Sequence, residues 1–252
     1  NGNMVSDSRR ALKLEYNCLN LLKDVKTSSG ELKARYRYLA DGTKLEVRDN
    51  NEINGFDYLG SLTYKKSSMG LQLESASFGE GEIRANVSNG VGNEVNYFLT
   101  DHLGSVRVIV DGNGVVKERN DYYSFGARHS RDDYPQQVNS RYKYNGKEEQ
   151  VTGGLEYLDY GARMYDRGLG KWFGTDPHTE SYYALSPYTY VGNNPIKCID
   201  PDGRIIRLAN NYVGGMENIA KIVATSLGRQ VMSHLIGQRE TYTLNSTFWS
   251  SS

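Results

Sequence analysis

Length, composition and charge describe a folded, charge-balanced protein. The 252 residues include 38% hydrophobic and 11% aromatic side chains, which excludes an intrinsically disordered chain and suffices for a buried core. The 30 basic and 30 acidic residues give a formal net charge of zero, which argues against a protein that coats nucleic acid or an anionic membrane. No stretch of about eighteen consecutive apolar residues occurs, so no membrane-spanning helix is expected.

Both ends of the sequence suggest a piece of a longer protein. The chain begins at Asn1 without an initiator methionine and stops in a serine run after Trp249, without a helix-capping pattern. We therefore expect further chain on both sides. The two cysteines, Cys18 and Cys198, are too few for a disulfide framework, and their positions do not predict whether they pair.

The first two hundred residues predict a meander of short antiparallel strands. Five segments have the β-branched and aromatic content of strands, namely 14–17, 34–38, 44–47, 106–110 and 115–118. They are interrupted by dipeptides that accept positive φ angles and close tight hairpins, namely Asp41-Gly42, Asp111-Gly112 and Asn145-Gly146. Strand, turn and strand in succession predict a series of hairpins.

An internal repeat connects the first strands. Residues 14–25 and 34–47 share an outline of a tyrosine-containing strand, a turn and a second short strand. A repeat of about twenty residues is typical of stacked hairpins, none of which can bury its face alone. Tyrosine suits such a wall because its ring packs against neighbours while its hydroxyl reaches water or backbone. An ordinary β-sandwich with tyrosine-rich surfaces fits the spacing equally well, and both alternatives stay open at this point.

The pattern changes after residue 203. Eighteen of the 20 tyrosines precede Gly203, and the chain from Arg204 onward carries 5 basic and 2 acidic residues, against 25 and 28 before it. Apolar residues then recur at three- and four-residue steps from Met216 to Leu235, which predicts an amphipathic helix, and residues 240–247 resemble a strand. We expect a domain boundary directly after Gly203.

A series of motifs resembles the Rhs/YD-repeat family. The segment Tyr38-Leu-Ala-Asp-Gly-Thr-Lys-Leu is similar to a YD-repeat unit. Motifs similar to those of the Rhs repeat-associated core follow in order over residues 97–203, namely Thr100-Asp-His-Leu-Gly-Ser-Val-Arg-Val, Tyr122-Tyr-Ser-Phe-Gly, Tyr144-Asn-Gly-Lys-Glu, Leu155-Glu-Tyr-Leu-Asp-Tyr-Gly-Ala-Arg-Met-Tyr-Asp, Gly170-Lys-Trp-Phe-Gly-Thr-Asp-Pro, Pro187-Tyr-Thr-Tyr-Val-Gly-Asn-Asn-Pro and Asp200-Pro-Asp-Gly. Motifs of these types in this order are highly specific for the Rhs repeat-associated core.

The resemblance implies a mainly β fold in three parts. Residues 1–96 would form a YD-repeat hairpin meander that is part of a β-shell, and residues 97–203 the Rhs core that caps the shell. Residues 204–252 would be the truncated start of a variable, small α+β toxin domain. The implied protein is a polymorphic toxin, secreted or held at the surface of a bacterium and used in competition between bacteria. Its implied partners are the missing upstream shell, the missing downstream toxin portion and an immunity protein.

The resemblance also implies a self-cleaving site. In some members of the family, two aspartates in Asp-Pro pairs are thought to cut the chain just after the second motif. The matching residues are Asp176 and Asp200, with Arg163 at the position of an associated arginine. Two neighbouring carboxylates can share a proton, so that one activates water while the other protonates the leaving group.

Two departures from the family pattern count against cleavage. Arg204 stands where cleaved members usually have leucine, and the first motif, Asp176-Pro-His-Thr, lacks its glycine. Both Asp-Pro pairs would also serve as simple turns, since aspartate bonds its own backbone and proline fixes φ.

Other chemistries find little support in the sequence. No Cys/His pair has metal-ligand spacing and no serine lies in Gly-x-Ser-x-Gly, so neither a metal, a cofactor nor a serine triad is predicted. Four histidines are widely separated, namely His102, His129, His178 and His234.

Two functions therefore compete. The first is a delivery and encapsulation module of a polymorphic toxin, with single-turnover self-cleavage as its only enzymatic step. The second is a cell-surface or wall-associated protein that binds glycan or partner cells through exposed tyrosine- and glycine-rich strands and has no toxin activity. No set of residues supports an enzyme that acts on an external substrate.

Overall fold

The computed structural model describes residues 2–85, 93–130 and 140–209. The helix predicted over 216–235 and the strand predicted over 240–247 lie outside these residues. Within them the protein is built from antiparallel β-sheets, joined by turns and by short 3₁₀ segments at Tyr144–Gly146, Thr152–Gly154, Thr179–Ser181 and Tyr190–Asn193. The prediction of a mainly β fold is confirmed.

Twelve strands form one antiparallel sheet in which every strand pairs with its neighbours in sequence. Its strands are β1 Ser6–Asp7, β2 Leu12–Tyr16, β3 Leu22–Thr27, β4 Leu32–Tyr38, β5 Lys44–Arg48, β6 Gly55–Leu59, β7 Leu62–Ser67, β8 Gly70–Phe78, β9 Gly81–Ala85, β10 Asn93–Thr100, β11 Val106–Asp111 and β12 Val116–Arg119. All five predicted strand segments lie in this sheet. Because the strands pair in the order of the sequence, the sheet is the predicted series of hairpins and not a β-sandwich.

The turns follow local side-chain chemistry. Between β4 and β5, the Asp41 carboxylate accepts the Thr43 amide at 2.8 Å, and Gly42 adopts a φ of +91° that favours glycine. Between β11 and β12, Asp111 holds the turn in the same way, but the glycine with positive φ is Gly114 rather than Gly112 of the predicted dipeptide. The Asp-x-x-Gly spacing therefore matters more there than the Asp-Gly pair.

The predicted repeat corresponds to two successive hairpins, β2–β3 and β4–β5. The hydroxyl of Tyr38 donates to the carbonyl of Leu22 at 2.9 Å, and that of Tyr16 donates to the carbonyl of Met4 at 2.8 Å. In each case a half-buried tyrosine ties its hairpin to the preceding chain. This is the role expected of tyrosine in a stack of hairpins.

A second sheet of four strands lies against the first. Its strands are β13 Glu148–Gln150, β14 Tyr157–Asp159, β15 Met164–Asp166 and β16 Lys171–Trp172. Because side chains alternate along a strand, the sheet has two buried faces. One face contributes Tyr157 and Met164 to a core shared with β2–β6, and the other contributes Leu158 and Tyr165 to a separate aromatic core.

The segment around the predicted domain boundary is a small hairpin. Strands β17 Cys198–Ile199 and β18 Arg207–Leu208 pair antiparallel, so the chain on both sides of Gly203 belongs to one loop and its two flanking strands. The other predicted boundary, between residues 96 and 97, falls inside β10, whose register with β9 and β11 runs through it. The division into three domains stays a prediction.

Candidate functional site

Arg163 lies at the end of a tight turn between β14 and β15. Gly161, with a φ of +90°, donates its amide to the Asp159 carboxylate at 2.8 Å, and Tyr160 closes the turn by donating to the Arg163 carbonyl at 3.1 Å. The Ala162 amide then donates to the carbonyl of Asp202 at 3.1 Å. The turn therefore carries the arginine directly against the second Asp-Pro motif.

The three residues named from the sequence meet at one point. One guanidinium nitrogen of Arg163, Nη2, lies 3.1 Å from Asp176 Oδ2 and 3.0 Å from Asp200 Oδ2. Because both carboxylate oxygens contact the same nitrogen atom, the two aspartate side chains lie next to each other. Arg163 and Asp200 are buried and Asp176 is largely so, with side-chain exposures of 3%, 1% and 9% in that order.

Each aspartate also forms the turn that the sequence allowed as the simpler alternative. Asp176 Oδ1 accepts the His178 amide at 2.7 Å. Asp200 Oδ1 accepts the amides of Gly203 at 2.8 Å and Arg204 at 3.0 Å, and those of Asp202 and Ile205 at longer range. One oxygen of each carboxylate thus shapes the backbone while the other faces Arg163, so the turn role and the site role do not exclude each other.

Burial sets the proton affinity of the site. Burial raises the pKa of Asp200 above its usual range, although the Arg163 guanidinium and the backbone amides oppose the shift. Burial likewise lowers the pKa of Arg163 despite its two carboxylate neighbours. Two carboxylates around one cation carry a net negative charge, and in a buried site the uptake of one proton relieves it.

Three contacts that sequence reasoning did not assign hold the site in place. Arg163 stacks over Trp172 at 4.1 Å and donates through Nε to the carbonyl of Gly203 at 2.6 Å. Lys147, which is partly desolvated, donates through Nζ to the carbonyl of Pro201. Trp172 and Lys147 both occur in quoted motifs, so motif membership was the available signal, but nothing in the sequence linked them to this loop.

Gly203 is confined by its neighbours. Its φ is +77°, and a Cβ atom there would lie 3.0 Å from the Arg163 backbone nitrogen and 3.3 Å from Tyr160 Cβ. A side chain at this position would therefore push the loop away from the arginine. The glycine of Asp200-Pro-Asp-Gly is thus required by close approach as well as by backbone conformation.

Two cavities adjoin the site. The larger, of about 570 Å³, lies between the two sheets and is lined by Arg163, Asp202 and Arg204 on one side and by Tyr38 and Asp41 on the other. The smaller, of about 10 Å³, is lined by Asp176, Tyr182 and Ile206. Its volume is about that of one water molecule. No group of three or more metal-ligating side chains occurs in the part of the chain that the structure describes.

A buried ionic cluster ties the two sheets together beside this site. Lys44 of β5 donates to Glu148 of β13 at 2.7 Å and to Asp159 of β14 at 2.6 Å. Glu148 also accepts from Arg141 at 2.8 Å and from the Tyr58 hydroxyl at 2.8 Å. The contacts of Lys44 and Tyr58 span about a hundred residues of sequence, and none of them is visible in the sequence pattern.

Comparisons with known proteins identify relatives of two kinds. Salivary gland surface protein 1 of Aedes aegypti is 37% identical over 107 residues, covering 42% of this chain and 3% of that protein. Toxin subunit YenC1 of Yersinia entomophaga is 35% identical over 116 residues, covering 44% and 11%. The tRNA3(Ser)-specific nuclease WapA of Bacillus spizizenii is 26% identical over 218 residues, covering 84% and 9%. No family model matches the chain.

Solved structures share the fold. The crystal structure of TcdB2-TccC3 matches 77% of this chain and 10% of that chain, with a TM-score of 0.63 at 24% identity. The Tc holotoxin pore of Photorhabdus luminescens matches 83% of this chain and 11% of that chain, with a TM-score of 0.64 at 23% identity. At these identities the likeness establishes the fold.

The fold is a mainly antiparallel β fold that is similar to the Rhs shell of the Tc toxins. The chain is homologous to Tc-type toxin subunits and to the WapA nucleases, and these relatives agree with the predicted resemblance to the Rhs/YD-repeat family. It spans no more than 11% of the length of the relatives and structures described above. In the described ranges, no helix has the length and apolar character needed to cross a membrane.

Proposed function

We propose that the chain is the C-terminal shell-and-cap segment of a secreted Rhs-type toxin, which encloses and delivers an effector and separates from it by aspartate-dependent self-cleavage. The toxin role rests on the homologous toxin subunits and nuclease. In this proposal residues 1–96 belong to the shell wall, 97–203 to its cap, and 204–252 to the start of the effector. The missing shell and effector portions are partners of this segment, and an immunity protein protects the producing bacterium.

The observation that carries the cleavage proposal is the single guanidinium nitrogen shared by Asp176 and Asp200. The raised pKa of Asp200 makes it the proton donor, and Asp176 is then the base. One proton on the pair of carboxylates leaves one negative charge against the Arg163 cation. The three side chains then carry no net charge together, which is the favoured state in a buried site.

The contacts of Gly203 favour a cut directly behind the second motif. Its carbonyl oxygen accepts from Arg163 Nε at 2.6 Å, which polarises the carbonyl for attack. The next amide, that of Arg204, donates to Asp200 Oδ1 at 3.0 Å, so the Asp200 carboxyl lies beside the nitrogen that would leave. The cavity of about 10 Å³ beside Asp176 has room for the attacking water.

The experiment is expression of a chain extended upstream and downstream, followed by a denaturing gel and mass determination of the fragments. We expect the wild type to yield two fragments that separate between Gly203 and Arg204, and Asp176→Asn and Asp200→Asn to remain at full length. Asp202→Asn is the matched control, because Asp202 lies in the same loop, is exposed and is not one of the two carboxylates paired with Arg163. Asparagine also keeps the side-chain oxygen that accepts the Arg204 amide at 3.2 Å. Its cleavage should be unchanged.

Two results would reject the proposal. A wild-type chain that stays intact after prolonged incubation has no self-cleavage, whatever its fold. A cut that persists in both aspartate variants has another agent as its cause. Arg204→Leu introduces the residue of the family pattern. Faster cleavage in this variant would identify Arg204 as the residue that slows self-cleavage.

A second candidate function is favoured by one observation, the match to a salivary gland surface protein over 42% of the chain. In this alternative the segment belongs to a surface protein that binds glycan or partner cells and carries no effector. Expression of the region downstream of Arg204 in the bacterial cytoplasm separates the two functions. Growth arrest, relieved by a neighbouring gene product, supports the toxin, and unaffected growth supports the surface protein.

A further inference from the structure

A second buried cluster lies outside the aspartate site. Lys143, Glu118 and Asn120 are each no more than 1% exposed, and the side chains of the lysine and the glutamate are fully enclosed. None of the three takes part in the site around Arg163. A buried primary amine beside a buried carboxyl and a buried primary amide is a combination with its own chemistry.

The cluster is organised around one oxygen atom. Lys143 Nζ donates to Glu118 Oε1, and Asn120 Nδ2 donates to the same oxygen at 2.8 Å. The amine and the amide are therefore adjacent, with the glutamate between them. Asn120 Oδ1 is buried and has no hydrogen-bond partner among the described residues. Rotation of the amide by half a turn would present this oxygen to Glu118, and the two orientations are nearly equal in shape.

The backbone fixes the three residues across β11. The Lys143 carbonyl accepts the Val106 amide at 3.0 Å, and the Asn120 amide donates to the carbonyl of Arg107 at 2.7 Å. Val106 and Arg107 are the first two residues of β11, so the lysine segment and the end of β12 are bonded to the same end of this strand. The positions of the reacting groups are thus set by sheet hydrogen bonds.

The surroundings of Lys143 favour its neutral form. Burial lowers the pKa of Lys143, with Glu118 and Glu149 opposing the shift and the Arg128 guanidinium adding to it. A neutral amine is a nucleophile, whereas an ammonium ion is not. Transfer of one proton from Lys143 to Glu118 removes both charges from the buried cluster at once.

We propose that Lys143 and Asn120 form an intramolecular isopeptide bond, with Glu118 as the acid–base residue. Glu118 accepts a proton from the Lys143 ammonium, and the resulting amine attacks Asn120 Cγ while the protonated Glu118 donates a hydrogen bond to Oδ1. The Nζ–Cγ bond forms, the Cγ–Nδ2 bond breaks, and Nδ2 leaves as ammonia with a second proton from Nζ carried by Glu118. No oxidant, reductant or cofactor takes part.

The bond would close a loop that contains residues 121–142. It would join the edge strand of the twelve-stranded sheet to the segment that leads into β13. Because the link is covalent, it would hold this edge in place even when the hydrogen bonds of β12 open. A shell wall that must stay closed outside the cell benefits from such a link.

The first test is the mass of the 252-residue chain after complete unfolding. We expect a mass lower than that of the sequence by one molecule of ammonia. Trypsin should not cut after Lys143, and residues 120–128 should appear joined to residues 142–147 as one branched peptide. A chain of unmodified mass, with residues 120–128 and 142–143 as separate peptides, overturns the proposal.

Variants distinguish the link from other losses of ammonia. Cyclisation of Asn120 onto its own backbone gives the same mass change, but it does not need Lys143. The mass loss should therefore disappear in Lys143→Arg and in Glu118→Gln, and persistence of the loss in Lys143→Arg overturns the proposal. Asn120→Asp should lose one water instead of ammonia, because the leaving group is then a hydroxyl. The wild-type measurement decides the question even if a variant fails to fold.

Discussion

Two buried glutamates, one in each sheet, lie in opposite surroundings. In the twelve-stranded sheet, Glu82 faces Asn96 across the β9–β10 pair, its Oε1 has no hydrogen-bond partner among the described residues, and the Arg84 guanidinium is 4.0 Å away. Burial therefore raises the pKa of Glu82 to about 6. In the four-stranded sheet, burial of Glu148 is outweighed by Lys44 and Arg141, and its pKa falls to about 2.

The difference reflects how each region is stabilised. The twelve-stranded sheet pairs only neighbouring strands, so its stability comes from many similar hairpin contacts, and it tolerates an imperfect site. The four-stranded sheet has very short strands and depends on side chains that reach across the molecule, such as Lys44 to Glu148. Substitutions should therefore matter most where distant parts of the chain meet.

The largest expected effect is the removal of the Lys44 cation. Lys44→Met leaves Glu148 and Asp159 as buried carboxylates without their shared partner, and we expect the free energy of unfolding to fall by about 3–5 kcal/mol. Urea denaturation measures it. Lys26→Met breaks the pair with Glu15, both partly exposed, and should change stability by less than about 1 kcal/mol. Equal losses of stability in the two variants would contradict the proposed difference between the two sheets.

Acid should weaken the link between the sheets next. The pKa of Glu148 is about 2 in the folded state against 4.5 for the free group, so its contribution is complete above pH 4.5 and is lost as the pH falls towards 2. The expected loss is on the order of 3 kcal/mol. Glu148→Gln should flatten the dependence of the unfolding free energy on pH in this window, and an unchanged slope would contradict the assignment.

Glu82 should behave in the opposite sense. Its folded pKa of about 6 lies above the free value of 4.5, so the ionised glutamate destabilises the fold increasingly from pH 4.5 and fully above pH 6. We expect Glu82→Gln to stabilise the protein by about 1–2 kcal/mol at pH 8 and to have little effect at pH 4. Thermal unfolding at both pH values measures the difference. Destabilisation at pH 8 would show that Glu82 has a partner in solution.

The smallest expected effect concerns a single hydrogen bond between two successive hairpins. Tyr38→Phe removes the bond from the hydroxyl to the Leu22 carbonyl and should lower the free energy of unfolding by about 1 kcal/mol. Tyr188→Phe is the control, because its bond to the Gly2 carbonyl lies at the surface and should contribute less. A loss of several kcal/mol for Tyr38→Phe would mean that stability is concentrated in single hairpins.

Much of the fold could be predicted because its determinants are local. The strands around Tyr36 and Val47 follow from side-chain type, and the turn at Asp41-Gly42 follows from one carboxylate and one glycine. The turn after Asp111 was correctly located, but its left-handed glycine was not, since Gly112 and Gly114 are equally permissive in sequence.

The sequence predicted which residues belong to the candidate site, but not how they contact each other. Asp176, Asp200 and Arg163 were named through motifs, whereas their common contact depends on the Gly161 turn and on the hairpin of β17 and β18. Trp172 and Lys147 were not assigned because stacking and carbonyl contacts leave no periodic signal.

The sequence by itself determined the hairpin order, the turn chemistry and the family resemblance, since each depends on residues a few positions apart. The tertiary structure alone decided which buried charges meet. A buried charge is stable only beside a partner. The partner of Lys44 is Glu148, which lies 104 residues away along the chain, and the partner of Lys143 is Glu118, which lies 25 residues away. That pairing is a property of the packed molecule, because only packing removes the water that would otherwise separate the charges.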